Sequence, residues 1–291
     1  MSRLAGIIGN PARHSLSPVF QAAAFAELGL DAAYEIWETP LQDLPSRFDR
    51  LRARDCMGAN VTIPYKEVAC GLVDELDRGA ELPGAVNTVV NTGGRLRGFN
   101  TDGAGFVRSV RERGGLEPAG RSFLLLGAGG AARGIAFGLV QAEAAVIAVA
   151  NRTLARAEGL AADLERSGTR ARALSLGGLN EAEGFDCIVN CTSIGMEGGG
   201  AAGQLPVDPR GAGAGTLIVD IVYVPTVTPF LRRAREAGLP TLGGLPMLIQ
   251  QGALAFALWT GLAPPLDAMF TAAEGELGRR SRAHDGPGDA R

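Results

Sequence analysis

Acid–base chemistry in this chain must use lysine, aspartate, glutamate or tyrosine rather than histidine. Its 291 residues include only two histidines, and His284 lies in a polar C-terminal stretch, so a catalytic set built on histidine is nearly excluded. Lys66 follows a strand-like run that carries Asn60 and Thr62. A cation there could donate a proton or stabilise negative charge on a reacting oxygen. A solvated surface lysine is the alternative interpretation, and it stays open at this point.

A carboxylate and a pair of hydroxyls stand where helices are expected to begin. Asp102 precedes a helical stretch and could either serve a site or cap the helix. Ser15 and Ser17 precede Pro18, and Ser17 suits the N-cap position with proline as the first helical residue. Two hydroxyls beside a helix N-terminus could in addition bind a small carboxylate.

A glycine-rich turn after a short apolar run matches a phosphate-binding motif. Gly127, Gly129 and Ala132 fill a G-x-G-x-x-G/A pattern directly after the run 123–126. Small residues there allow a tight turn, close approach of the backbone to a pyrophosphate, and tight helix–strand packing. The pattern alone is weak in a chain with 42 glycines. Its place between a predicted strand and a helix beginning near Gly130 favours dinucleotide binding over a bland turn.

The end of the next predicted strand indicates which dinucleotide is bound. The strand at 145–150 is followed by Asn151-Arg-Thr-Leu-Ala-Arg156, and no acidic residue occurs before Glu158. An acid here would accept hydrogen bonds from the ribose of NAD, whereas a basic group would pair with the 2′-phosphate of NADP. Two arginines at a solvated helix start would repel each other without an anion between them. We therefore predict NADP.

The remaining pattern predicts an α/β fold. Strands are expected at 4–9, 33–38, 58–63, 185–190 and 216–222, a helix at 43–53, and a hairpin over 85–98 with a Gly93-Gly94 turn. The alternation of strands and helices from 122 to 222 is typical of a doubly wound parallel sheet.

Three further segments carry specific predictions. A helix beginning at Pro64 would place Lys66 in its first turn. The apolar helix 245–259 carries Gln250 and Gln251, one of which should face a polar site because a buried glutamine needs hydrogen-bond partners. Residues 279–291 are charged and aperiodic, which predicts a disordered tail.

Composition narrows the classes of protein. The net charge is −3 and no basic stripe occurs, so a nucleic-acid partner is not expected. The N-terminal residues read as a strand rather than a signal peptide, and no apolar run is long enough to cross a bilayer. The four cysteines are scattered, which favours reduced core thiols over a metal site or disulfides. We expect a cytoplasmic protein with no membrane partner and no metal.

The chain resembles the shikimate dehydrogenase family from about residue 4 to residue 277. The resemblance lies in an ordered set of short motifs, several of which are unremarkable alone. They are Asn10-Pro, Ser15-x-Ser17-Pro, Asn60-Val-Thr-x-Pro-x-Lys66-Glu, Gly84-Ala-Val-Asn87-Thr, Asn100-Thr-Asp102-Gly, Gly127-Ala-Gly-Gly-Ala, Asn151-Arg-Thr, Asn190-x-Thr-Ser, Asp220-x-x-Tyr223 and Met247-Leu-x-x-Gln251.

The resemblance implies two domains, one that binds substrate and one that binds the cofactor. It implies a substrate-binding domain at 1–103, completed by 238–278, and an inserted Rossmann-like NADP-binding domain at 104–237. It also implies a monomer or homodimer and a place in chorismate and aromatic amino-acid biosynthesis. The reaction expected is reversible reduction of 3-dehydroshikimate to shikimate by NADPH.

The resemblance also assigns roles to residues of this chain. Lys66 and Asp102 would be the catalytic acid–base pair. Substrate would be bound by Ser15, Ser17, Asn60, Thr62, Lys66, Asn87, Asp102, Tyr223 and Gln251. NADP would be bound by Gly127, Ala128, Gly129, Gly130, Ala131, Asn151, Arg152, Thr153, Arg156, Ile221, Gly244 and Met247.

Three alternatives are weaker. A quinate/shikimate or aminoshikimate dehydrogenase of the same family would need a changed pocket on the carboxylate side, whereas Ser15 and Ser17 are both present. A non-catalytic NADP-binding regulator would have lost Lys66 or Asp102, and neither is lost. A folate-linked dehydrogenase with a related cofactor domain would lack the Ser-x-Ser and Asn-Thr-Asp segments.

Overall fold

The structure is a computed structural model, and it describes residues 3–178, 184–198 and 201–284. The chain packs as two compact units. The first comprises the described parts of Met1–Leu76, Val86–Phe99 and Gly252–Arg291, and the second comprises those of Asp77–Ala85 and Asn100–Gln251.

The elements alternate along most of the chain. The strands are β1 (Arg3–Gly9), β2 (Ala32–Glu38), β3 (Cys56–Val61), β4 (Glu75–Leu76), β5 (Thr88–Thr92), β6 (Arg95–Phe99), β7 (Ser122–Leu126), β8 (Val146–Asn151), β9 (Arg170–Ser175), β10 (Cys187–Asn190), β11 (Leu217–Asp220) and β12 (Thr241–Leu242). The helices are α1 (Ser17–Glu27), α2 (Leu44–Leu51), α3 (Arg78–Glu81), α4 (Asp102–Glu112), α5 (Gly130–Gln141), α6 (Leu154–Arg166), α7 (Pro229–Glu236), α8 (Leu245–Thr260) and α9 (Leu266–His284).

The first unit is built on a mixed six-stranded sheet in the order β2-β1-β3-β5-β6-β4. β1 pairs in parallel with β2 and β3, whereas β5 is antiparallel to both β3 and β6. The predicted hairpin is confirmed. Gly93 and Gly94 have φ of +63° and +90°, which is the conformation that a two-residue turn between twisted strands requires.

The second unit is built on an entirely parallel sheet in the order β12-β11-β10-β7-β8-β9. Its central strands are buried on both faces, because alternate residues enter two separate apolar clusters. In β7, Phe123 and Leu125 enter one cluster while Leu124 and Leu126 enter the other. Strand order reverses between β7 and β10, so this is the doubly wound arrangement predicted from the sequence.

Two predicted helix starts were wrong in detail. The segment after β3 forms a turn, with the Tyr65 N–H bonded to the Thr62 carbonyl, and then a short 3₁₀ helix, Val68–Gly71. Tyr65 holds this turn because its buried hydroxyl donates to the Thr39 carbonyl at 2.7 Å. Lys66 therefore lies in a turn and not in a helix.

Ser17 is not the N-cap of α1 but its first helical residue. The side chain that accepts a backbone N–H there belongs to Ser15, whose Oγ lies 3.1 Å from the Ser17 nitrogen.

The compact units do not share the limits of the predicted domains. Residues 77–85 and 100–103 pack with the parallel sheet, and so do residues 238–251, where β12 pairs with β11 and the start of α8 packs against the core. Part of the predicted tail is helical, since α9 continues to His284. Residues 285–291 of that tail lie outside the described residues.

Helices α4 and α5 touch backbone to backbone. A Cβ placed on Gly138 would lie 2.5 Å from the Gly103 Cα, and one placed on Gly103 would lie 2.4 Å from the Gly134 carbonyl oxygen. Main-chain atoms cannot turn away as a side chain can, so each of these positions requires glycine.

Gly138→Ala should therefore lower the free energy of unfolding by about 1–3 kcal/mol, because the new methyl group must push the two helices apart. Urea unfolding measures the change. Gly159→Ala in α6 is the matched control, since nothing lies within 4 Å of its Cβ position and alanine there should add about 0.5–1 kcal/mol. Equal stability of the two variants would contradict the backbone contact.

Candidate active site

A buried polar cluster lies at the end of β3 in the first unit. The Tyr34 hydroxyl donates to Asn60 Oδ1 at 2.7 Å, and Asn60 Nδ2 donates to Thr88 Oγ1 at 3.1 Å and to the Asn87 carbonyl at 3.3 Å. Asn60 is 5 % and Asn87 2 % exposed. These bonds fix the orientation of the Asn60 amide. Within the Asn60 amide, Oδ1 can still accept one more hydrogen bond, because its second lone pair is open to a ligand hydroxyl.

The turn after β3 joins Lys66 to this cluster through the main chain. The N–H of Thr62 donates to the Ile8 carbonyl at 2.9 Å, and the Lys66 carbonyl accepts from the N–H of Val86 at 2.7 Å. Val86 directly precedes Asn87, so the backbone of Lys66 is held beside the backbone of a buried polar residue. The Lys66 side chain itself is partly exposed.

The two serines at the start of α1 lie together, as predicted. Ser17 is buried, at 2 % exposure, whereas Ser15 is partly exposed. The first residues of α1 include no acidic side chain, so no negative charge there would repel an anion.

In the second unit, Asp102 is the first residue of α4 and is 3 % exposed. Its N–H donates to Asn100 Oδ1 at 3.0 Å, and Asn100 Nδ2 donates to the Ala85 carbonyl at 2.8 Å. The adjacent Thr101 hydroxyl donates to Gln251 Oε1 at 3.5 Å. Asp102 therefore lies directly beside Thr101, the residue that contacts Gln251.

Both glutamines of α8 are buried, and each has a partner. Gln250 Nε2 donates to Glu112 Oε2 at 2.7 Å, and Gln251 Nε2 donates to the Leu248 carbonyl at 2.8 Å. Lys66 lies in the first unit and Asp102 in the second, so their action as a pair stays a prediction.

The glycine turn has the geometry of a phosphate-binding loop. Gly127 has φ of +113°, its N–H donates to the Ala150 carbonyl at 2.7 Å, and a Cβ there would lie 3.0 Å from Thr192 Cγ2. Gly129 caps α5, and the first turn of α5, with Gly130 and Ala131, holds no acidic side chain. The free N–H groups of this helix start can receive a pyrophosphate, as they do in dinucleotide-binding folds.

The basic segment lies at the end of β8. Asn151 ends the strand and its Nδ2 donates to the Thr153 carbonyl at 2.9 Å, which shapes the turn into α6. Arg152, Thr153 and Arg156 are exposed at this turn. The side chains expected to pair with a 2′-phosphate are thus displayed together at the carboxyl edge of the sheet.

The turn after β11 is pressed against the start of α8. A Cβ on Gly244 would lie 2.2 Å from the Ile221 carbonyl oxygen, so only glycine fits, and the Gly244 N–H donates to the Val222 carbonyl at 3.3 Å. Met247 is buried in the core against which Ile221 packs. Tyr223 follows and is partly buried.

A second buried polar cluster joins the ends of β10 and β11. Asp220 Oδ1 accepts from Asn190 Nδ2 and from the Val222 N–H, both at 3.0 Å, and Asp220 Oδ2 accepts from the Thr228 hydroxyl at 2.7 Å. Burial raises the pKa of Asp220 to about 6, although hydrogen bonds from Thr228, Val222 and Asn190 oppose the shift. This carboxyl therefore holds its proton to a higher pH than an ordinary aspartate does.

Burial also keeps the nearby Cys191 protonated. It raises the pKa of this thiol well above its usual range, and the negative charges of Asp220 and Asp102 add to the effect. A thiol of this kind is a poor nucleophile and a poor metal ligand. In the part of the chain that the structure describes, no cluster of three or more acidic, cysteine or histidine side chains is suited to a metal ion. No helix in the same part is long and apolar enough to cross a membrane.

Comparison with known proteins shows the family of this chain. Family models match three stretches: the shikimate dehydrogenase substrate binding domain at residues 7–89, shikimate/quinate 5-dehydrogenase at 112–226, and the shikimate 5′-dehydrogenase C-terminal domain at 244–274. The NADP(+)-dependent shikimate dehydrogenase of Symbiobacterium thermophilum is 44% identical over 277 residues, 93% of each chain. The chain belongs to the shikimate dehydrogenase family.

Solved structures of the shikimate dehydrogenase family share the fold. Shikimate 5-dehydrogenase from Thermus thermophilus, solved with NADP(H) and shikimate, superposes with a TM-score of 0.83 at 42% identity, covering 94% of this chain and 99% of the other. Quinate dehydrogenase from Corynebacterium glutamicum, solved with NAD, superposes with a TM-score of 0.85 at 32% identity, covering 94% and 99%. The fold is therefore shared by relatives that differ in substrate and in cofactor.

Sequence reasoning noticed Asn190, Thr192 and Asp220 within family motifs but gave them no role, and it missed Thr228. One signal was available. Asn190 and Asp220 each end an apolar strand, and a polar residue that is buried at a strand end must find partners.

Asp220→Asn should change how stability depends on pH. The folded-state pKa of about 6 lies above the ordinary 3.8, so the folded protein holds this proton more tightly. The resulting stabilisation is complete below about pH 4 and is lost as the pH rises through about 6. Relative to Asp220→Asn, the wild type should lose about 2 kcal/mol of unfolding free energy between pH 4 and pH 7, as measured by urea titrations.

Asp186→Asn is the control of opposite sign. Partial burial raises the pKa of Asp186, but hydrogen bonds from Ser122 and the Arg121 guanidinium outweigh it and bring the pKa below its usual range. Relative to this variant the wild type should gain stability as the pH rises. Parallel curves for wild type and Asp220→Asn would contradict the burial of a titrating carboxyl.

Proposed function

We propose that this protein catalyses the reversible, NADP-dependent reduction of 3-dehydroshikimate to shikimate. One observation carries the proposal beyond family membership. Lys66 is the sole lysine of the chain, since every other one of its 28 Lys and Arg residues is an arginine. Arginine holds its proton at any ordinary pH, whereas lysine can release one. The presence of one lysine in an otherwise all-arginine chain therefore supports a role in proton transfer at this position.

The NADP-binding residues fit the cofactor in three places. The open helix start at Gly127–Ala131 suits the pyrophosphate, and Arg152 and Arg156 with Asn151 and Thr153 suit the 2′-phosphate. Ile221, Gly244 and Met247 line the turn after β11 and suit the nicotinamide. When bound, the cofactor supplies or removes the hydride. We assign the parallel sheet to cofactor binding and the mixed sheet, with its polar cluster, to substrate binding.

The remaining chemistry falls to side chains. The Lys66 ammonium donates its proton to the carbonyl oxygen as that oxygen gains negative charge. In the oxidative direction the pair, with Lys66 as the neutral amine, accepts the hydroxyl proton. The Asp102 carboxylate orients the ammonium and a ring hydroxyl. Ser15 and Ser17 hold the substrate carboxylate at the start of α1. The ring hydroxyls lie among Asn60, Thr62, Asn87, Tyr223 and Gln251, and Asn60 takes part through Oδ1.

Location and assembly are proposals as well. All four cysteines lie within the described residues and are free thiols, which supports a reducing compartment and hence the cytoplasm. We propose a monomer or a homodimer acting on a small molecule.

The test of function is an absorbance assay that crosses shikimate and quinate with NADP and NAD. We expect rapid nicotinamide reduction with shikimate and NADP. Rapid turnover of quinate would move the protein to the quinate/shikimate branch, which the fold shared with quinate dehydrogenase keeps as the second candidate. No turnover in any combination would refute dehydrogenase activity.

Lys66→Ala should lower kcat by roughly 10²- to 10⁴-fold with a much smaller change in KM, because it removes the proton donor. Lys66→Arg is the matched variant: it keeps the positive charge but cannot exchange the proton, so its kcat should stay low. Steady-state kinetics in both directions measure the effect. A large rise in KM at unchanged kcat would make Lys66 a binding residue.

Arg152→Ala should weaken NADPH binding by roughly ten- to a hundredfold and leave NADH binding unchanged, because only NADPH carries the 2′-phosphate. Fluorescence titration of both cofactors measures the two affinities. Arg232→Ala, an exposed arginine of α7, is the control and should alter neither. Equal losses for NADPH and NADH would refute the assignment.

A further inference from the structure

The order of strands in the second unit divides the cofactor site into two halves. The glycine turn after β7 and the basic segment after β8 serve the pyrophosphate and the adenosine half. In a doubly wound sheet the dinucleotide crosses the point where strand order reverses, which lies here between β7 and β10. The nicotinamide half must therefore lie over the carboxyl ends of β10 and β11.

Those two strand ends are joined by a buried amide and a buried carboxylate. Asn190 and Asp220 are both 0 % exposed. Asn190 Nδ2 donates to Asp220 Oδ1 and to the Ile194 carbonyl, each at 3.0 Å, and Asn190 Oδ1 accepts from the N–H and the hydroxyl of Thr192. The Asn190 side chain therefore shapes the loop after β10.

Asp220 shapes the loop after β11 in the same way. Its Oδ1 accepts the N–H of Val222 and its Oδ2 accepts the hydroxyl of Thr228, while the N–H of Ile221 donates to the Asn190 carbonyl at 3.1 Å. Gly244 presses on the same turn from the start of α8, with no space for a Cβ. The turn is thus held on one side by a carboxylate and on the other by a backbone contact.

Burying a carboxylate is costly, and the hydrogen bonds of Asp220 go to an amide, a backbone N–H and a hydroxyl rather than to a cation. Core packing alone would be better served by an apolar side chain. The buried pair has a geometric effect instead. One carboxylate and one amide fix the two loops that follow the adjacent strands β10 and β11.

We propose that Asp220, acting through Asn190 and the Ile221–Val222 turn, is a positioning residue for the nicotinamide half of the cofactor. The inference rests on the proposed binding of NADP to this sheet. Loss of the carboxylate frees both loops at the nicotinamide end, and leaves the glycine turn and the arginines of the adenosine half in place.

The test compares a whole cofactor with a fragment. Adenosine 2′,5′-bisphosphate carries the 2′-phosphate but no nicotinamide, so the ratio of its Kd to that of NADPH measures what the nicotinamide half adds to binding. In Asp220→Ala we expect this ratio to fall at least about fivefold and kcat to fall at least about tenfold, since small displacements of reacting groups slow transfer steeply. The affinity for the fragment itself should stay within twofold of wild type.

Two variants separate positioning from stability. Thr216→Val removes a buried hydroxyl at the other end of the β11 region, where Thr216 Oγ1 donates to the Phe185 carbonyl at 2.8 Å. It should lower the Tm and leave kcat and the ratio unchanged. Asp220→Asn keeps polar atoms at both carboxylate positions, so it should recover most of the kcat that Asp220→Ala loses. In Asp220→Ala, the loss of kcat should be accompanied by a larger primary isotope effect with NADPH deuterated at the transferred position.

Several results would overturn the proposal. One is an unchanged ratio and kcat in Asp220→Ala, and another is a loss of fragment binding in parallel with kcat. A Thr216→Val variant with the same loss of kcat would also contradict it. If Asp220→Ala yields no folded protein, Thr228→Val carries the test, because it removes the hydroxyl that holds Oδ2 and should lower kcat several-fold. An unchanged kcat in that variant would refute the proposal.

Failure of the proposed reaction is a separate outcome. A wild type that binds NADPH but turns over no 3-dehydroshikimate would refute the activity, while the affinity ratio still tests the positioning role.

Discussion

The close approach of α4 and α5 is the constraint on which the second unit depends. Gly103, Gly134 and Gly138 let two helix backbones meet with no side chain between them. Helix α5 begins at the glycine turn, and α4 begins at Asp102. A Cβ on Gly134 would lie 2.7 Å from Asn100 Oδ1 and 3.1 Å from the Cβ of Asp102. The glycines of this helix contact therefore allow a buried carboxylate to stand beside α5.

Both units place their polar groups at the carboxyl ends of buried strands. Asn60 precedes the last residue of β3, while Asn151, Asn190 and Asp220 end β8, β10 and β11. The interior of each strand supplies apolar burial, and the final residue supplies hydrogen bonds that shape the loop beyond it. This separation lets the loops carry function while the sheets carry stability, as is general for doubly wound folds.

The sequence was sufficient for the parallel sheet, the hairpin and the glycine turn, because strand periodicity and turn residues are local signals. It was insufficient where tertiary contacts decide the outcome. The segment containing Lys66 was predicted as a helix, but the hydrogen bond of Tyr65 to the Thr39 carbonyl holds it as a turn. The strand β9 was missed because its alternation of arginine and alanine suits an edge strand with little apolar content. The role of Asp220 depends on three partners from separate segments, which no local pattern reveals.

The sequence predicted which residues belong to the candidate site, but not the hydrogen bonds between them. Ser15 with Ser17, and Asn60 with Asn87, lie together as expected, and the basic group after β8 is displayed at one turn. The internal bonds of Asn60 could not have been predicted, since Tyr34 and Thr88 reach it from other strands. Those bonds leave it fewer atoms for substrate than its residue type suggests.

The use of a single lysine has a consequence for chemical work on this protein. Reagents that acylate or reductively methylate amines will find only the Lys66 side chain and the chain N-terminus, because arginine does not react with them. A spectroscopic label, a crosslinker or an isotopically marked methyl group can therefore be delivered to the proposed proton donor in the unmutated chain.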